Sequence, residues 1–245
     1  MKLRARSLSV ERRGKAILGP LDLELEAGTI TAICGPNGAG KSTLLTMLAG
    51  LEKPSGGAVA LDDRPLAALD PRERARAIGY LPQDGDIAWD VSVRNVVALG
   101  RLPYPDATPK SIDAALAALD LLDFADRPVS TLSGGERARA LLARVLAGEP
   151  RWILADEPLA ALDLAHQLVL LDVLRRQSRN GTGVVLVVHD LAVAMNHADR
   201  VVVLDKGRVA ADGAPQSALS AEIIREVWGV ETSWQGKEGA KALSY

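Results

Sequence analysis

Short apolar runs alternate with helical patterns along most of the chain. Three of these runs, TITAIC (29–34), WILAD (152–156) and GVVLVVHD (183–190), are almost continuously apolar, which is typical of strands buried on both faces. The first run leads into KSTLLTMLAG (41–50), whose apolar residues recur at helical spacing. Strands that alternate with helices in this way predict an α/β fold with a mainly parallel sheet.

One long region departs from this alternation. From about Asp84 to Glu149 the strand pattern disappears and helical periodicity takes over, as in SIDAALAALDLLDFA. We therefore interpret 84–149 as a helical subdomain that is inserted into an α/β core formed by 1–83 and 150–245.

The C-terminal part of the chain carries weaker signals. The segment RVVVLDKGRVAADG (200–213) predicts a hairpin that turns at Lys206-Gly207. The final stretch, 236–245, consists of small and polar residues and is expected to be frayed.

The composition is that of a globular protein with a sizeable core. Of the 245 residues 48% are hydrophobic, enough for one large α/β domain or two small ones. The net charge of −2 argues against a nucleic-acid-binding protein, because such proteins usually carry a basic face. The lone cysteine, Cys34, excludes an intramolecular disulfide, fits a reducing compartment and is expected in the core.

Membrane signals are missing from the pattern. The chain opens without an apolar signal-peptide segment, and no window approaches the ~18 uninterrupted apolar residues that a membrane helix needs. We therefore expect a cytoplasmic protein, and if it works at a membrane, another chain must span the bilayer.

A glycine-rich stretch after the first apolar run carries the clearest chemistry. GPNGAGKS (35–42) matches G-x-x-x-x-G-K-[ST] in full, between a predicted strand and a predicted helix. Backbone N–H groups of such a loop wrap phosphate oxygens, and the helix dipole favours the anion. Lys41 is expected at the β- and γ-phosphates, and Ser42 on Mg²⁺. The predicted nucleotide-binding residues are Gly35, Pro36, Asn37, Gly38, Ala39, Gly40, Lys41, Ser42 and Thr43.

Two acidic residues close the second apolar run, WILADEP (152–158). Asp156 falls at the carboxyl end of a buried strand, the edge at which open α/β sheets bind ligands, and can hold Mg²⁺ directly or through water. Glu157 is the better candidate for the base that polarises an attacking water. The alternative, that the pair merely caps the strand or the next helix, is weaker beside a complete phosphate-binding loop.

A helical run opens on two glycines in TLSGGERAR (131–139). Each glycine costs about 1 kcal/mol relative to alanine inside a helix. A position that tolerates this cost usually needs a backbone without a side chain. Ser133-x-x-Glu136 also reads as a capping box. Capping alone does not require two glycines, so Glu136 can cap while the glycines bind.

The order of these motifs resembles the ATP-binding-cassette (ABC) ATPase family across nearly the whole chain. The matching segments are GPNGAGKS, LPQD (81–84), LSGGE (132–136), WILADEP, LAALD (159–163) and VVHD (187–190). The resemblance implies one P-loop NTPase domain over 1–245, with a mainly parallel sheet, N-terminal antiparallel β elements and the inserted helical subdomain.

The same resemblance implies pairing of two copies and assigns further roles. Ser133, Gly134, Gly135, Glu136 and Asp163 would contact the nucleotide held by the other copy, so that a head-to-tail homodimer closes around two ATP molecules. Gln83 resembles the Q-loop residue that senses Mg²⁺ and the attacking water. His189 resembles the switch histidine at the γ-phosphate, although a lone histidine that closes a buried strand is more often structural.

Together these assignments give a catalytic set and a metal set. The catalytic residues implied are Lys41, Gln83, Glu157 and His189, and the Mg²⁺ ligands implied are Ser42, Gln83 and Asp156.

The chain departs from the family at the base-binding end. The family usually stacks the adenine on an aromatic residue upstream of the P-loop, yet no Phe, Tyr or Trp precedes Tyr80. Arg12 lies near the expected place and could stack through its guanidinium plane. We therefore predict weak base recognition, with GTP able to replace ATP.

The resemblance narrows further to the separate ATPase subunit of a bacterial importer, peripheral to the cytoplasmic face of the inner membrane. Segments 96–104, 162–175 and 189–215 resemble importer ATPases for iron–siderophore complexes, haem and cobalamin. Its partners would be two copies of a transmembrane permease and, indirectly, a substrate-binding protein, with no nucleic acid. The alternatives are an efflux or lipid-trafficking ATPase and a soluble ABC ATPase without a permease.

The helical subdomain would transmit motion to that permease. Ile87, Trp89 and Val91 are expected to be exposed and to line the groove that receives permease helices, with core packing an equal alternative for Trp89.

Overall fold

The computed structural model describes residues 1–83, 90–105, 109–160 and 162–245. The expectations for Ile87 and Trp89 lie outside these residues. The strands are β1 (Lys2–Arg12), β2 (Lys15–Glu26), β3 (Ile30–Cys34), β4 (Gly56–Leu61), β5 (Arg64–Pro65), β6 (Ile78–Leu81), β7 (Trp152–Asp156), β8 (Gly183–Val187), β9 (Arg200–Asp205), β10 (Arg208–Gly213), β11 (Ser233–Gln235) and β12 (Ala242–Ser244). The α-helices are α1 (Lys41–Leu48), α2 (Pro71–Ala77), α3 (Val93–Ala98), α4 (Pro109–Ala118), α5 (Gly134–Ala147), α6 (Leu164–Arg179), α7 (Leu191–His197), α8 (Pro215–Ala218) and α9 (Ala221–Trp228).

The central sheet has six strands in the order β10-β9-β3-β8-β7-β6. Strands β9, β3, β8, β7 and β6 are parallel, and β10 pairs antiparallel with β9. Every residue of β3, β7 and β8 is buried, as their continuous apolar runs predict, and this includes Cys34. The prediction of a mainly parallel sheet is confirmed, and the carboxyl ends of β3, β8, β7 and β6 meet at one edge.

The predicted hairpin of 200–213 is also confirmed. Strands β9 and β10 are joined by Lys206 and Gly207, which adopt left-handed φ values of 47° and 76°. Two left-handed residues are what a two-residue turn needs to match the twist of its strands.

A separate antiparallel sheet, β2-β1-β4-β5, forms the N-terminal layer. Its inward side chains alternate with exposed ones, because antiparallel strands pack one face on the core. This face joins α1 and one side of the central sheet in a shared apolar core. The expected N-terminal antiparallel elements are therefore present.

The other side of the central sheet is covered by α6, α7 and the helical region, which share a second core. Helices α3, α4 and α5 lie inside the predicted subdomain, and the pairing of Ser92 with Pro128 is an isolated bridge. Val91 is half-buried and packs on this core, so the expectation that it is an exposed groove residue is wrong. Within the described ranges, no helix is long and apolar enough to cross a bilayer.

The C-terminal stretch is ordered, and the prediction that 236–245 is frayed is wrong. Strands β11 and β12 form a small antiparallel hairpin. The side-chain amide of Asn196 in α7 donates to the carbonyl of Lys241 at 2.8 Å, and the N–H of Lys241 donates to Asn196 Oδ1 at 2.7 Å. Trp234 Nε1 donates to the carbonyl of Leu219 at 2.7 Å, which fixes the hairpin to the body of the domain.

Candidate functional site

The glycine-rich loop 35–40 runs from the end of β3 to the start of α1, where the motif predicts it. Gly35, Gly38 and Gly40 have φ values of 148°, 79° and 97°, which side chains rarely adopt. A Cβ on Gly35 would lie 2.2 Å from the carbonyl oxygen of Leu204, and one on Gly40 would lie 2.6 Å from Leu18 Cδ2. The fold itself therefore requires glycine at both positions.

Lys41 stands at the first position of α1 and is turned back onto this loop. Its ammonium donates to the carbonyls of Gly35 at 2.9 Å and Pro36 at 3.1 Å, and the residue is 6% exposed. Burial lowers the pKa of Lys41, while the charges of Glu157, Cys34 and Asp156 oppose the shift. The loop thus holds a buried cation where anionic oxygens would be received.

Asp156 closes β7 and is 3% exposed. Burial raises the pKa of its carboxyl, and a hydrogen bond with Ser42 opposes that shift. Its Oδ1 finds no hydrogen-bond partner among the described residues. A buried, unpartnered carboxylate oxygen beside a hydroxyl is the kind of oxygen donor set that Mg²⁺ takes. Ser42 and Asp156 therefore fit the ion that the sequence implies.

Glu157 follows directly and is contacted from two neighbouring strand ends. Gln83 Nε2 donates to its Oε2 at 3.0 Å, and His189 Nε2 lies 2.5 Å from its Oε1. The side chain of Glu157 is only 13% exposed. The carboxyl ends of β6, β7 and β8 thus bring three residues together. Gln83 is 74 positions from Glu157 in the sequence, and His189 is 32 positions from it. The role of Gln83 toward Mg²⁺ stays a prediction.

The backbone of Glu157 is unusual. Its φ is 49°, a left-handed conformation that costs a residue with a side chain about 1–2 kcal/mol. Its N–H donates to the carbonyl of Val187 at 3.1 Å, which ties β7 to the end of β8.

A cavity of about 160 Å³ adjoins the carboxylate and is also lined by Gln167 and His189. The sequence motifs did not single out Gln167, whose contacts depend on tertiary structure.

Helix α5 begins with the glycine pair Gly134-Gly135. Ser133 caps the helix: its N–H donates to Glu136 Oε2 at 2.7 Å, and its Oγ accepts from the N–H of Glu136 at 3.2 Å. These bonds lower the pKa of Glu136. A Cβ on Gly134 would meet nothing within 4 Å, so its own fold does not demand glycine there.

The residues expected to act on a second copy share one surface. Ser133, Gly135, Glu136 and Asp163 line a cavity of about 480 Å³, together with His166. Asp163 caps α6, accepts from the N–H of His166 at 2.9 Å and lies 2.7 Å from its Nδ1. The hydrogen bonds from His166 lower the pKa of Asp163. The structure thus joins the start of α5 and the start of α6.

Arg12, the proposed base-stacking residue, lies at the end of β1. Its Nη2 is 2.5 Å from Glu52 Oε2, and both side chains are about half exposed. The guanidinium is therefore already paired on one side, and its role toward a base stays a prediction.

Comparison with known proteins agrees with the motif order. Residues 18–160 match the sequence model of the ABC transporter family. The hemin import ATP-binding protein HmuV of Nocardia farcinica is 47% identical over 92% of this chain and 82% of its own length. HmuV of Myxococcus xanthus is 44% identical over 98% of this chain and 95% of its own length.

Solved structures give the same result at the level of the fold. The ATP-binding cassette MJ0796, in a dimeric post-hydrolysis state with ADP and Pi, has a TM-score of 0.80 at 29% identity, covering 87% of this chain and 98% of that one. An inward-facing ABC transporter assigned to the metal-chelate type has a TM-score of 0.82 at 26% identity, covering 98% and 95%. The resemblance seen in the motifs is confirmed: the chain belongs to the ABC transporter family, as an ATP-binding subunit.

Proposed function

We propose that the chain is the ATP-hydrolysing subunit of a bacterial importer for haem or a closely related metal chelate. The observation that carries the ATPase part is the convergence of Lys41, Asp156 and the Glu157 cluster at one edge of the parallel sheet. The haem part rests on relatives named hemin import ATP-binding proteins, 40–47% identical to this chain.

The residues divide the chemistry of phosphoryl transfer among themselves. The loop 35–40 and Lys41 bind the phosphates. When they do, the ammonium of Lys41 donates to phosphate oxygens in place of the carbonyls of Gly35 and Pro36. Ser42 and Asp156 would hold Mg²⁺, which would supply positive charge to the phosphate oxygens. Glu157 accepts the proton of the attacking water, and Gln83 and His189 orient its carboxylate. In the loaded site His189 also contacts the γ-phosphate.

A second copy completes each site. The N-terminal end of α5 offers N–H groups and a favourable dipole to an anion, and Gly134 leaves the approach open. Ser133, Gly135, Glu136 and Asp163 surround the same cavity. In a two-fold, head-to-tail dimer these groups close over the nucleotide bound by the other copy.

A groove beside the helical region suits a membrane partner. It has a volume of about 340 Å³ and lies between β6, the segment from Leu99 to Pro103 and the C-terminal end of α5. Leu99 and Leu102 line it while 44% and 72% exposed. We assign this groove to a cytoplasmic helix of the permease, one copy for each ATPase subunit. In this proposal motion passes through β6, after which the chain continues to Gln83. We assign the subunit to the cytoplasmic face of the inner membrane, with a substrate-binding protein as an indirect partner.

The partner is tested with Glu157→Gln as bait in native, detergent-solubilised membranes with ATP and Mg²⁺. We expect a multi-spanning permease to co-purify, identified by mass spectrometry, and less of it to be recovered when Leu102 is changed to Asp. Ribosomal or DNA-bound partners without a membrane protein would contradict the transport assignment. Recovery of an efflux or lipid-trafficking complex would contradict import.

The substrate is tested by reconstituting the identified permease in liposomes with the parent ATPase subunit, which retains Glu157, and with its binding protein. We expect ATP-dependent uptake of haem, and its loss when Lys41 is replaced by Ala, the matched control for ATP hydrolysis. Uptake of a ferric siderophore or cobalamin without haem would keep the importer but change its substrate.

A further inference from the structure

Gln167, on the first turn of α6, makes hydrogen bonds to the segment that links Glu157 to the start of α6. Its Nε2 donates to the carbonyl of Leu159 and to the carbonyl of Leu162, both at 3.2 Å. A side-chain amide has two N–H donors, so both are used on this one segment. The segment begins at Glu157 and ends at Asp163.

The position of Gln167 relative to the reacting groups is specific. It lines the cavity of about 160 Å³ that Glu157, Leu159 and His189 also line. Leu159 and Leu162 are buried, and the carbonyl of Leu159 also accepts from the N–H of Leu162 at 3.1 Å, so the amide of Gln167 joins a turn that is already hydrogen-bonded. Gln167 therefore fixes the backbone immediately behind the carboxylate of Glu157.

The neighbouring residue contacts the opposite end of the same segment. His166 lies 2.7 Å from Asp163 Oδ1 and lines the cavity that contains Ser133 and Glu136. Consecutive residues of one helical turn therefore contact the same segment, Gln167 at Leu159 and Leu162 and His166 at Asp163.

We propose that Gln167 is a positioning residue for hydrolysis, which acts by holding the backbone that carries Glu157 in its left-handed conformation. The inference rests on the proposed catalytic role of Glu157. A strained backbone persists only when its surroundings over-determine it, and the two amide hydrogen bonds supply part of that restraint. Loss of the restraint lets the carboxylate move relative to the water without removing any group that binds nucleotide.

The experiment compares Gln167→Glu with Gln177→Glu. A carboxylate at position 167 has nearly the same shape but no donor, and it would face two carbonyl oxygens. Gln177 lies on the same helix, and its side-chain amide makes no hydrogen bond to any residue that the structure describes, so it controls for the added charge. Gln167→Met, which is neutral and unbranched, covers the case in which the carboxylate prevents folding.

For Gln167→Glu and Gln167→Met we expect kcat to fall about tenfold to 100-fold, with KM and the directly measured ATP affinity within about twofold. Gln177→Glu should keep kcat within about twofold. A kcat within twofold of the parent, or a parallel loss of ATP affinity, overturns the proposal. So does an equal loss in Gln177→Glu.

A double-variant cycle separates positioning from general destabilisation. Single-turnover hydrolysis is measured for Glu157→Gln with and without Gln167→Glu. If Gln167 acts through Glu157, its substitution costs less than about threefold once Glu157 is gone, because coupled residues are not additive. The full loss in that background would overturn the proposal. Near-normal turnover of Glu157→Gln alone would instead refute the catalytic role of Glu157 itself.

Discussion

Gly35 and Gly40, beside α1, and Gly134, at the start of α5, occupy similar settings in the sequence. Their surroundings in the structure differ. The first two have left-handed or otherwise glycine-specific backbone, and an added Cβ would collide with Leu204 or Leu18. Gly134 has ordinary helical surroundings, and an added Cβ would meet nothing.

The difference separates two reasons for a glycine. At the loop 35–40 the requirement is internal, because the chain cannot take this path with a side chain. At Gly134 nothing within the described chain explains the residue, although glycine there weakens the helix. A requirement without an internal cause points to another molecule, and the cavity that the adjacent Ser133 and Gly135 line together with Asp163 fits the nucleotide of a second copy.

The largest effect is expected where the requirement is internal. Gly35→Ala would place a Cβ against the backbone of β9, with no flexible side chain to move aside. We expect a loss of at least about 3 kcal/mol in the free energy of unfolding, measured in urea. ATP binding should be lost with the fold. A change smaller than about 1 kcal/mol would show that the fold does not require glycine at position 35.

Gly134→Val should separate function from folding. We expect turnover to fall by roughly 100-fold, since a side chain would occupy the approach to the helix N terminus. ATP binding to the monomer and its unfolding midpoint should remain close to those of the parent. Equal losses of binding, stability and turnover would show that Gly134 is needed internally after all.

Gly134→Ala tests the same position with the smallest side chain. We expect the free energy of unfolding to change by no more than about 1 kcal/mol, and to rise rather than fall, because alanine favours the helix. Thermal unfolding measures this directly. A clear loss of stability would mean that the space around Gly134 is not open.

The smallest effect concerns the base-binding end of the nucleotide site. The phosphate end is tightly built, whereas Arg12 is half exposed and paired with Glu52. We therefore expect kcat/KM for GTP within about tenfold of that for ATP. A much larger preference for ATP would show that another group recognises the base.

The motifs and the periodicity predicted the parts of the fold that local sequence determines. Continuous apolar runs gave β3, β7 and β8, and Lys206-Gly207 gave the turn between β9 and β10. Residue types at fixed spacing also placed the phosphate loop and the capped start of α5.

What the sequence could not predict depends on contacts between distant residues. The C-terminal hairpin has a polar, glycine-containing sequence typical of a frayed end, yet Asn196 binds Lys241 across 45 positions. Likewise, no local pattern shows that Gln167 lines the same cavity as His189, or that Val91 packs on the core of the helical region.

The nucleotide-dependent pairing of two copies is tested most directly by the mass of Glu157→Gln in solution, measured by light scattering with and without ATP and Mg²⁺. The matched variant is Glu157→Gln/Gly134→Val, and ATP binding is measured for both. We predict that the mass of Glu157→Gln doubles with ATP, whereas the double variant binds ATP equally well and stays monomeric. If the double variant dimerises as readily, or if Glu157→Gln stays monomeric with ATP bound, Gly134 does not serve the nucleotide of a second copy.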